Sequence, residues 1–284
     1  MSNAPSDKGG PGLPHRAIID AMSDNDKVRL LSGSGRWRTA AFPAFGLAAI
    51  TMTDGTYGVR YSVTQIDNSD GLGTGLEEFL ATADQHASAI YRQSAEIKPA
   101  TCFPNGSAMG NSWDVALLEE LGTLLGRESR AKGVNLLLGP GINIRRNPLA
   151  GRAYEYYSED PYLTGKLAAG LIRGVQSQGV GSSLKHLACY NAENERMTTD
   201  SVVEERALRE IYLRGFEIAI RESHPWTVMS SYNLLNGTPT AQNHWLLTDV
   251  LRGEWGFDGM TISDWNSVKD RPAALAAGLD LDMP

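Results

Sequence analysis

The sequence predicts an α/β fold, in particular a (β/α)8 TIM-like barrel that is irregular or has one collapsed strand. Short apolar segments recur along the chain and alternate with longer helix-like stretches. Several of these short segments are apolar almost throughout, which is typical of parallel strands buried on both faces. The number of such units and the 284 residues favour a barrel over a doubly wound sheet.

The strand and helix assignments follow from these patterns. The helix predicted at 113–132 places several leucines on one face, and the helix predicted at 202–222 has a similar apolar face. Ser201 and Glu204 predict a capping box at the start of the second helix, and Pro225 predicts its end. The segment after Arg60 is polar and irregular, which leaves room for a collapsed strand. The predicted strands are 49–53, 100–103, 134–138, 181–187, 227–232, 260–263 and 279–283.

The domain organisation is predicted to be simple. Residues 1–12 read as a flexible lead-in, and residues 13–284 as one barrel domain. The last predicted strand, 279–283, has no helix after it to cover it, although a parallel strand needs such cover. The natural protein is therefore expected to continue beyond Pro284.

The composition argues against several classes of partner and binding site. A formal net charge of −7 argues against nucleic acid as the main partner. No apolar stretch suits a secretion signal or a membrane span, so a soluble cytoplasmic protein without a membrane partner is expected. Cys102 and Cys189 are interpreted as two buried small hydrophobic residues, not a disulfide. The five histidines show no metal-binding spacing, so no metal and no cofactor are predicted, while a homo-oligomer stays open.

Polar side chains follow four of the predicted strands. They are Asp54, the Lys185–His186 pair, residues 229–233 and Asp264. Each has an ordinary structural interpretation, since Asp54 with Gly55 suits a turn and an aspartate after a strand often caps a helix. Catalytic groups of a barrel nevertheless cluster where its strands end. Because four strand ends carry such groups, the sequence favours an active site there.

Six motifs follow one another along the chain: residues 53–60 (TDGTYGVR), 139–148 (GPGINIRRNP), 151–161 (GRAYEYYSEDP), 185–196 (KHLACYNAENER), 229–233 (MSSYN) and 263–265 (SDW). Together they resemble glycoside hydrolase family 3, specifically its β-glucosidase branch. The stretch after Lys185 and His186 lacks the second histidine typical of the family's N-acetylhexosaminidases, so that branch is not expected.

The resemblance implies a role for each candidate site residue. Asp264 would be the catalytic nucleophile, with a low pKa maintained by nearby cations. Asp54 would accept hydrogen bonds from sugar hydroxyls. The polar donors, which would also keep the carboxylates ionised, are Arg60, Arg152, Lys185, His186 and Arg196. Met229, Tyr232 and Trp265 would form the apolar and aromatic sides of the sugar pocket, and Tyr232 could also hydrogen-bond the nucleophile.

The implied activity is that of a retaining exo-β-glucosidase acting on a β-glucoside or oligosaccharide through a glycosyl-aspartate. In this branch the general acid/base is a glutamate from a second α/β domain, so the missing C-terminal portion of the same protein is the expected partner. Glu193 and Glu195 are the candidates within the chain. The alternatives are a β-xylosidase or α-arabinofuranosidase of the same family, a sugar-binding barrel module without catalysis, and an unrelated aldolase using Lys185 as a Schiff-base amine.

Overall fold

The computed structural model describes residues 15–60 and 99–284. The predicted lead-in at 1–12 and the segment directly after Arg60 lie outside these residues. Among the described helices, none combines the length and the apolar character needed to cross a membrane.

A five-stranded parallel sheet forms the centre of the molecule, in the order β1-β2-β3-β5-β8. Its strands fall within five of the predicted segments, which confirms those assignments. A separate three-stranded sheet has the order β4-β6-β7. The strands are β1 (Met52–Thr53), β2 (Leu136–Leu137), β3 (Gly181–Leu187), β4 (Asp200–Ser201), β5 (Thr227–Ser230), β6 (Leu234–Leu235), β7 (Thr238–Pro239) and β8 (Met260–Ile262).

Single bridges connect the two edges of the five-stranded sheet. Leu281 pairs in parallel with Ile262 of β8, so the segment predicted at 279–283 adds to the sheet as bridges. The neighbouring Asp282 pairs with Ser32, and the hairpin that follows Ser32 pairs back to Thr51, next to β1. The pairing therefore runs in a ring. This ring agrees with the predicted irregular barrel. It is irregular because its last steps are antiparallel, unlike the pairs of the main sheet, and consist of single bridges.

The helices lie between the strands. The predicted helix at 113–132 is confirmed as Val115–Ala131, which begins where the Asp114 carboxylate accepts a hydrogen bond from the Leu117 backbone at 3.0 Å. The α-helices are Arg16–Ala21, Asp24–Leu30, Gly106–Gly110, Val115–Ala131, Pro161–Gln176, Glu205–Ala207, Arg214–Ser223 and Arg271–Ala277. Short 3-10 helices span Pro43–Phe45, Ala153–Glu155 and Thr240–Gln242, and π-helical segments span Leu208–Tyr212 and Trp245–Glu254.

The two longest α-helices, Val115–Ala131 and Pro161–Gln176, pack against each other, and the second also contacts β3. Their contact is close because glycines face backbone: a Cβ on Gly122 would lie 2.2 Å from the Leu171 carbonyl oxygen. Leu118 and Leu167 belong to the core cluster and are fully buried. Burying one such leucine side chain contributes roughly 1.5–3 kcal/mol, so this packing holds the site-bearing strands in place.

Four sequence predictions are wrong. Residues 100–103 form a loop instead of a strand, because Phe103 packs into the core while Asn105 directly afterwards caps the next helix. There is no capping box at Ser201, which instead belongs to β4, and the helix predicted at 202–222 is interrupted by a π segment. Cys102 is exposed in that same loop, whereas Cys189 is buried as predicted.

Candidate active site

The carboxyl ends of four parallel strands open into one cavity of about 670 Å³. Asp54 follows β1, Lys185 and His186 lie in β3, Met229 lies in β5, and Asp264 follows β8. Because the strands are parallel, their ends meet at the same edge of the sheet. All ten residues predicted from the sequence line this cavity: Asp54, Arg60, Arg152, Lys185, His186, Arg196, Met229, Tyr232, Asp264 and Trp265.

Asp54 and Lys185 form an ion pair on the floor of this cavity. The Lys185 ammonium donates to Asp54 Oδ1 at 2.9 Å. Burial opposes ionisation of Asp54, but Lys185, together with Arg60 and Arg152, holds the pKa of this carboxyl below its usual value. Asp54 therefore stays charged and retains accepting capacity, since 34% of its side-chain surface is exposed. A Schiff-base role for Lys185 would first have to break this ion pair.

His186 is a neutral hydrogen-bond acceptor in this arrangement. Its Nε2 lies 3.0 Å from Arg152 Nη2, and a guanidinium can only donate, so the proton is assigned to Nδ1. Burial, and then the charges of Arg152, Lys185 and Arg196, lower the pKa of His186 well below its usual value. With this tautomer Nε2 faces Arg152 as an acceptor, and the role of His186 towards sugars stays a prediction.

Asn143 holds His186 in this orientation. Its side-chain oxygen accepts from the His186 backbone amide at 3.0 Å and lies 3.3 Å from ring Nδ1. Its amide nitrogen donates to the His186 carbonyl at 2.8 Å. Asn143 is buried, at 2% exposure, and fixes both the backbone and the tautomer of its neighbour.

Asp264 carries a buried oxygen without a hydrogen-bond partner among the described residues. Its Oδ1 accepts from the Trp265 backbone amide at 2.8 Å, while Oδ2 has no such partner and lies 3.6 Å from His186 Nε2. This last contact is not an ion pair, because His186 is neutral. Only 6% of Asp264 is exposed.

Burial raises the pKa of Asp264, and Arg152, Lys185 and the neighbouring Tyr232 hydroxyl only partly offset that effect. The low pKa predicted from the sequence is therefore wrong. The cations are present as expected, but the carboxyl has lost most of its water, which disfavours its charged form.

The remaining polar groups lie around Tyr232. The Arg196 guanidinium stacks 4.5 Å above the Tyr232 ring and lies 3.5 Å from the Glu193 carboxylate. Burial, followed by the charge of Asp264, raises the pKa of the Tyr232 hydroxyl, so this group keeps its proton next to the nucleophile candidate. The hydrogen bond from Tyr232 to the nucleophile stays a prediction.

Several lining residues received no role from the sequence. Glu155 lies within a quoted motif, where its pairing with Arg152 could have been suspected, and the two side chains form a salt bridge. Trp37 comes from the hairpin that follows Ser32, and nothing in its local sequence indicated a site. Of the two glutamates considered as acids, Glu193 lines the cavity and Glu195 is exposed outside it. The further lining residues without an earlier role are Arg36, Gly55, Thr56, Tyr57, Gly58, Gly151 and Tyr154.

A cavity with two carboxylates, several cations and aromatic sides at the carboxyl ends of parallel strands is typical of an enzyme active site. The model of the glycosyl hydrolase family 3 N-terminal domain matches residues 86–284. The chain belongs to this family, which confirms the resemblance found in its motifs.

Similar proteins agree with this assignment. Thermostable beta-glucosidase B of Acetivibrio thermocellus is 46% identical over 269 residues, covering 95% of this chain and 33% of that protein. An exo-alpha-(1->6)-L-arabinopyranosidase of Bifidobacterium longum is 44% identical, covering 94% of this chain and 32% of that protein. The solved structure of beta-glucosidase 3B from Thermotoga neapolitana in complex with alpha-D-glucose matches at a TM-score of 0.82 and 41% identity, covering 95% of this chain and 36% of that one.

The structural similarity confirms the predicted fold class. The chain spans about a third of the length of the curated relatives that it matches.

Proposed function

We propose that this chain is the nucleophile-bearing, sugar-binding domain of a retaining exo-β-glucosidase. The observation that carries the proposal is Asp264 Oδ2, a buried carboxylate oxygen without a hydrogen-bond partner among the described residues, in a cavity that also contains cations. Oδ1 of the same carboxylate accepts a hydrogen bond from the Trp265 amide, which holds the group in place. Oδ2 keeps its lone pairs free and is therefore suited to attack an anomeric carbon. The relatives named beta-glucosidase support the choice of sugar.

The proposed reaction has two steps. Asp264 Oδ2 bonds to the anomeric carbon while the glycosidic bond breaks, and the departing oxygen takes a proton from a general acid. Water then attacks the same carbon and gives its proton to the conjugate base of that acid, which releases the sugar and the Asp264 carboxylate. The raised pKa of Asp264 suits this cycle, because a carboxylate stripped of water is a better nucleophile.

Asp54 and its neighbours are proposed to bind and orient the sugar. The Asp54 carboxylate would accept from two adjacent hydroxyls, an interaction stronger than a neutral hydrogen bond. Lys185 and Arg152 would donate to the same hydroxyls, and Arg152 would also stabilise the charge of Asp264. Met229 and Trp265 supply the apolar sides that contact the carbon face of the ring.

The general acid is proposed to come from a segment outside this chain. Glu193 lines the cavity, but its carboxylate faces Arg196 at 3.5 Å, and Glu195 is exposed outside the lining. Glu193 is therefore paired with a cation, and Glu195 lies outside the cavity lining. The relatives are about three times as long as the region that matches, which leaves room for such a segment in them.

The test is the release of dinitrophenol from 2,4-dinitrophenyl β-D-glucoside, followed before the steady state. This leaving group needs little protonation, so the nucleophile is assayed without the acid. We expect a burst close to one equivalent per chain, a trapped glycosyl-peptide containing Asp264, and neither in the Asp264→Asn variant. A burst that survives in Asp264→Asn would contradict the assignment. Sugar binding by calorimetry without any burst would favour the non-catalytic binding module.

A second candidate activity deserves the same assay. The arabinopyranosidase relative from Bifidobacterium longum is 44% identical to this chain, close to the 46% of beta-glucosidase B. Comparing burst rates for the dinitrophenyl β-glucoside, β-xyloside, α-L-arabinofuranoside and α-L-arabinopyranoside separates the sugar preferences. We expect the glucoside to react fastest. If an arabinoside reacts faster, arabinosidase replaces glucosidase as the proposed activity.

A further inference from the structure

A second cavity, of about 300 Å³, lies behind the active site and has Tyr190 in its wall. The described residues that line the active-site cavity do not include Tyr190. Its ring nevertheless packs against that site, with centroids 5.4 Å from His186 and 5.8 Å from Tyr232. The second cavity is therefore a separate space that shares a buried wall residue with the candidate active site.

The wall of this second cavity carries one group of each charge, Arg146 and Asp200. Arg146 Nη1 donates to the Tyr212 hydroxyl at 3.3 Å, and a guanidinium has further N–H groups to donate. Asp200 Oδ1 accepts from the Gly237 amide at 3.0 Å, and a carboxylate has a second oxygen that can accept. Neither of these contacts is an ion pair, so both side chains keep their charge available to a ligand.

Asn233 adds a buried acceptor to the same wall. The residue is only 2% exposed, and its Oδ1 has no hydrogen-bond partner among the described residues. Its amide nitrogen is already used, since it donates to the Leu234 carbonyl at 2.9 Å and to the Ser201 hydroxyl at 3.3 Å. A buried acceptor without a donor is unfavourable, and an O–H group of a ligand would satisfy it.

We propose that this second cavity is an accessory binding site for a monosaccharide, a neutral polyol whose hydroxyls pair with Arg146, Asp200 and Asn233. A hydroxyl group both donates and accepts, whereas a carboxylate only accepts and an ammonium only donates. A simple anion would be repelled by Asp200 and a simple cation by Arg146. The volume lies at the lower end of the range of about 300–1,000 Å³ for ligand pockets, which suits one sugar ring and not an oligosaccharide.

This inference goes beyond the proposed function, and the experiment weakens the active site first so that the two are tested separately. Calorimetry measures the binding of D-glucose, and of the zwitterion glycine for comparison, to the Asp54→Asn variant. Arg146→Met and Asp200→Asn are each added to this background, and both positions are exposed. Arg206→Met in the same background is the matched control, because its side chain is 85% exposed and lies outside both cavity linings. Circular dichroism checks that each variant folds.

We expect Asp54→Asn to bind glucose, and the added Arg146→Met change to weaken this binding by roughly 10- to 100-fold, the range of a hydrogen bond to a charged group. Asp200→Asn should weaken it by roughly threefold to tenfold, because an amide oxygen still accepts, and Arg206→Met should leave it unchanged.

The inference is overturned if Asp54→Asn binds no glucose, if Arg146→Met binds it as tightly as its background, or if glycine binds more tightly than glucose. If Arg146→Met does not fold, Asp200→Asn decides by the same comparison. The wild type should bind a second glucose that Asp54→Asn binds weakly or not at all. Absence of this second glucose would contradict the proposed function and leave the accessory site standing.

Discussion

Breaking the buried ion pair between Arg152 and Glu155 should destabilise the fold far more than breaking an exposed one. The two side chains are only 21% and 10% exposed, and Arg152 Nε donates to Glu155 Oε1. Removing one partner leaves a buried charge uncompensated, which costs about 3–5 kcal/mol in comparable cases. Because Arg152 borders the open cavity, we expect the lower end, about 3 kcal/mol, for Arg152→Met.

The double variant Arg152→Met with Glu155→Gln should recover much of this loss, because replacing both charged partners is often close to neutral. The free energies of unfolding come from urea titrations at pH 7, followed by tryptophan fluorescence, with unchanged m-values as the check on two-state behaviour. The matched control is Arg206→Met, which breaks the pair with Glu210 at 3.1 Å, where the side chains are 85% and 61% exposed. It should cost about 0–1 kcal/mol. The reasoning would be refuted if the losses in free energy of unfolding of Arg152→Met and Glu155→Gln simply added up in the double variant. It would also be refuted if Arg152→Met and Arg206→Met lost the same free energy of unfolding.

Three further outcomes are expected. Asp54→Asn should lower kcat/KM for aryl β-glucosides by roughly 10- to 100-fold, because a hydrogen bond to a charged group is lost and Lys185 loses its partner; steady-state rates equal to the wild type would contradict it. Asp264→Asn should raise Tm at pH 7 but not at pH 3. Burial raises the pKa of Asp264, so ionisation of this carboxyl destabilises the folded protein at pH values above the usual aspartate pKa of about 3.9 and not below it; thermal melts at both pH values decide. Iodoacetamide should modify the exposed Cys102 long before Cys189, since burial raises the pKa of the Cys189 thiol to about 12; timed mass spectrometry showing equal rates would be inconsistent.

The strand ends that carry the site were predictable from local sequence. Asp54, Lys185 and Asp264 each stand at or directly after an apolar segment that the structure confirms as a parallel strand. Parallel strands bring their carboxyl ends together whatever the details of packing, so the pattern alone placed these residues at one edge. The resemblance then extended the set, and all ten candidates lie in one cavity, although their roles stay predictions.

The errors arose where tertiary contacts override local pattern. Residues 100–103 are as apolar as a strand, but Phe103 uses that character to fill the core from a loop. Ser201 has the spacing of a helix cap, yet it pairs in β4 with β6. In both cases a long-range contact decided between local structures that the sequence allows equally.

The sequence by itself determined the α/β class, the strands that deliver the acidic and basic groups, and the family of the chain. Only the tertiary structure decided the protonation of the site, because the pKa values of Asp264 and His186 depend on how much water is excluded around them. It also decided that Trp37 belongs to the site. That residue is brought there by the bridges from Asp282 to Ser32 and from Arg38 to Thr51, between segments that local pattern cannot connect.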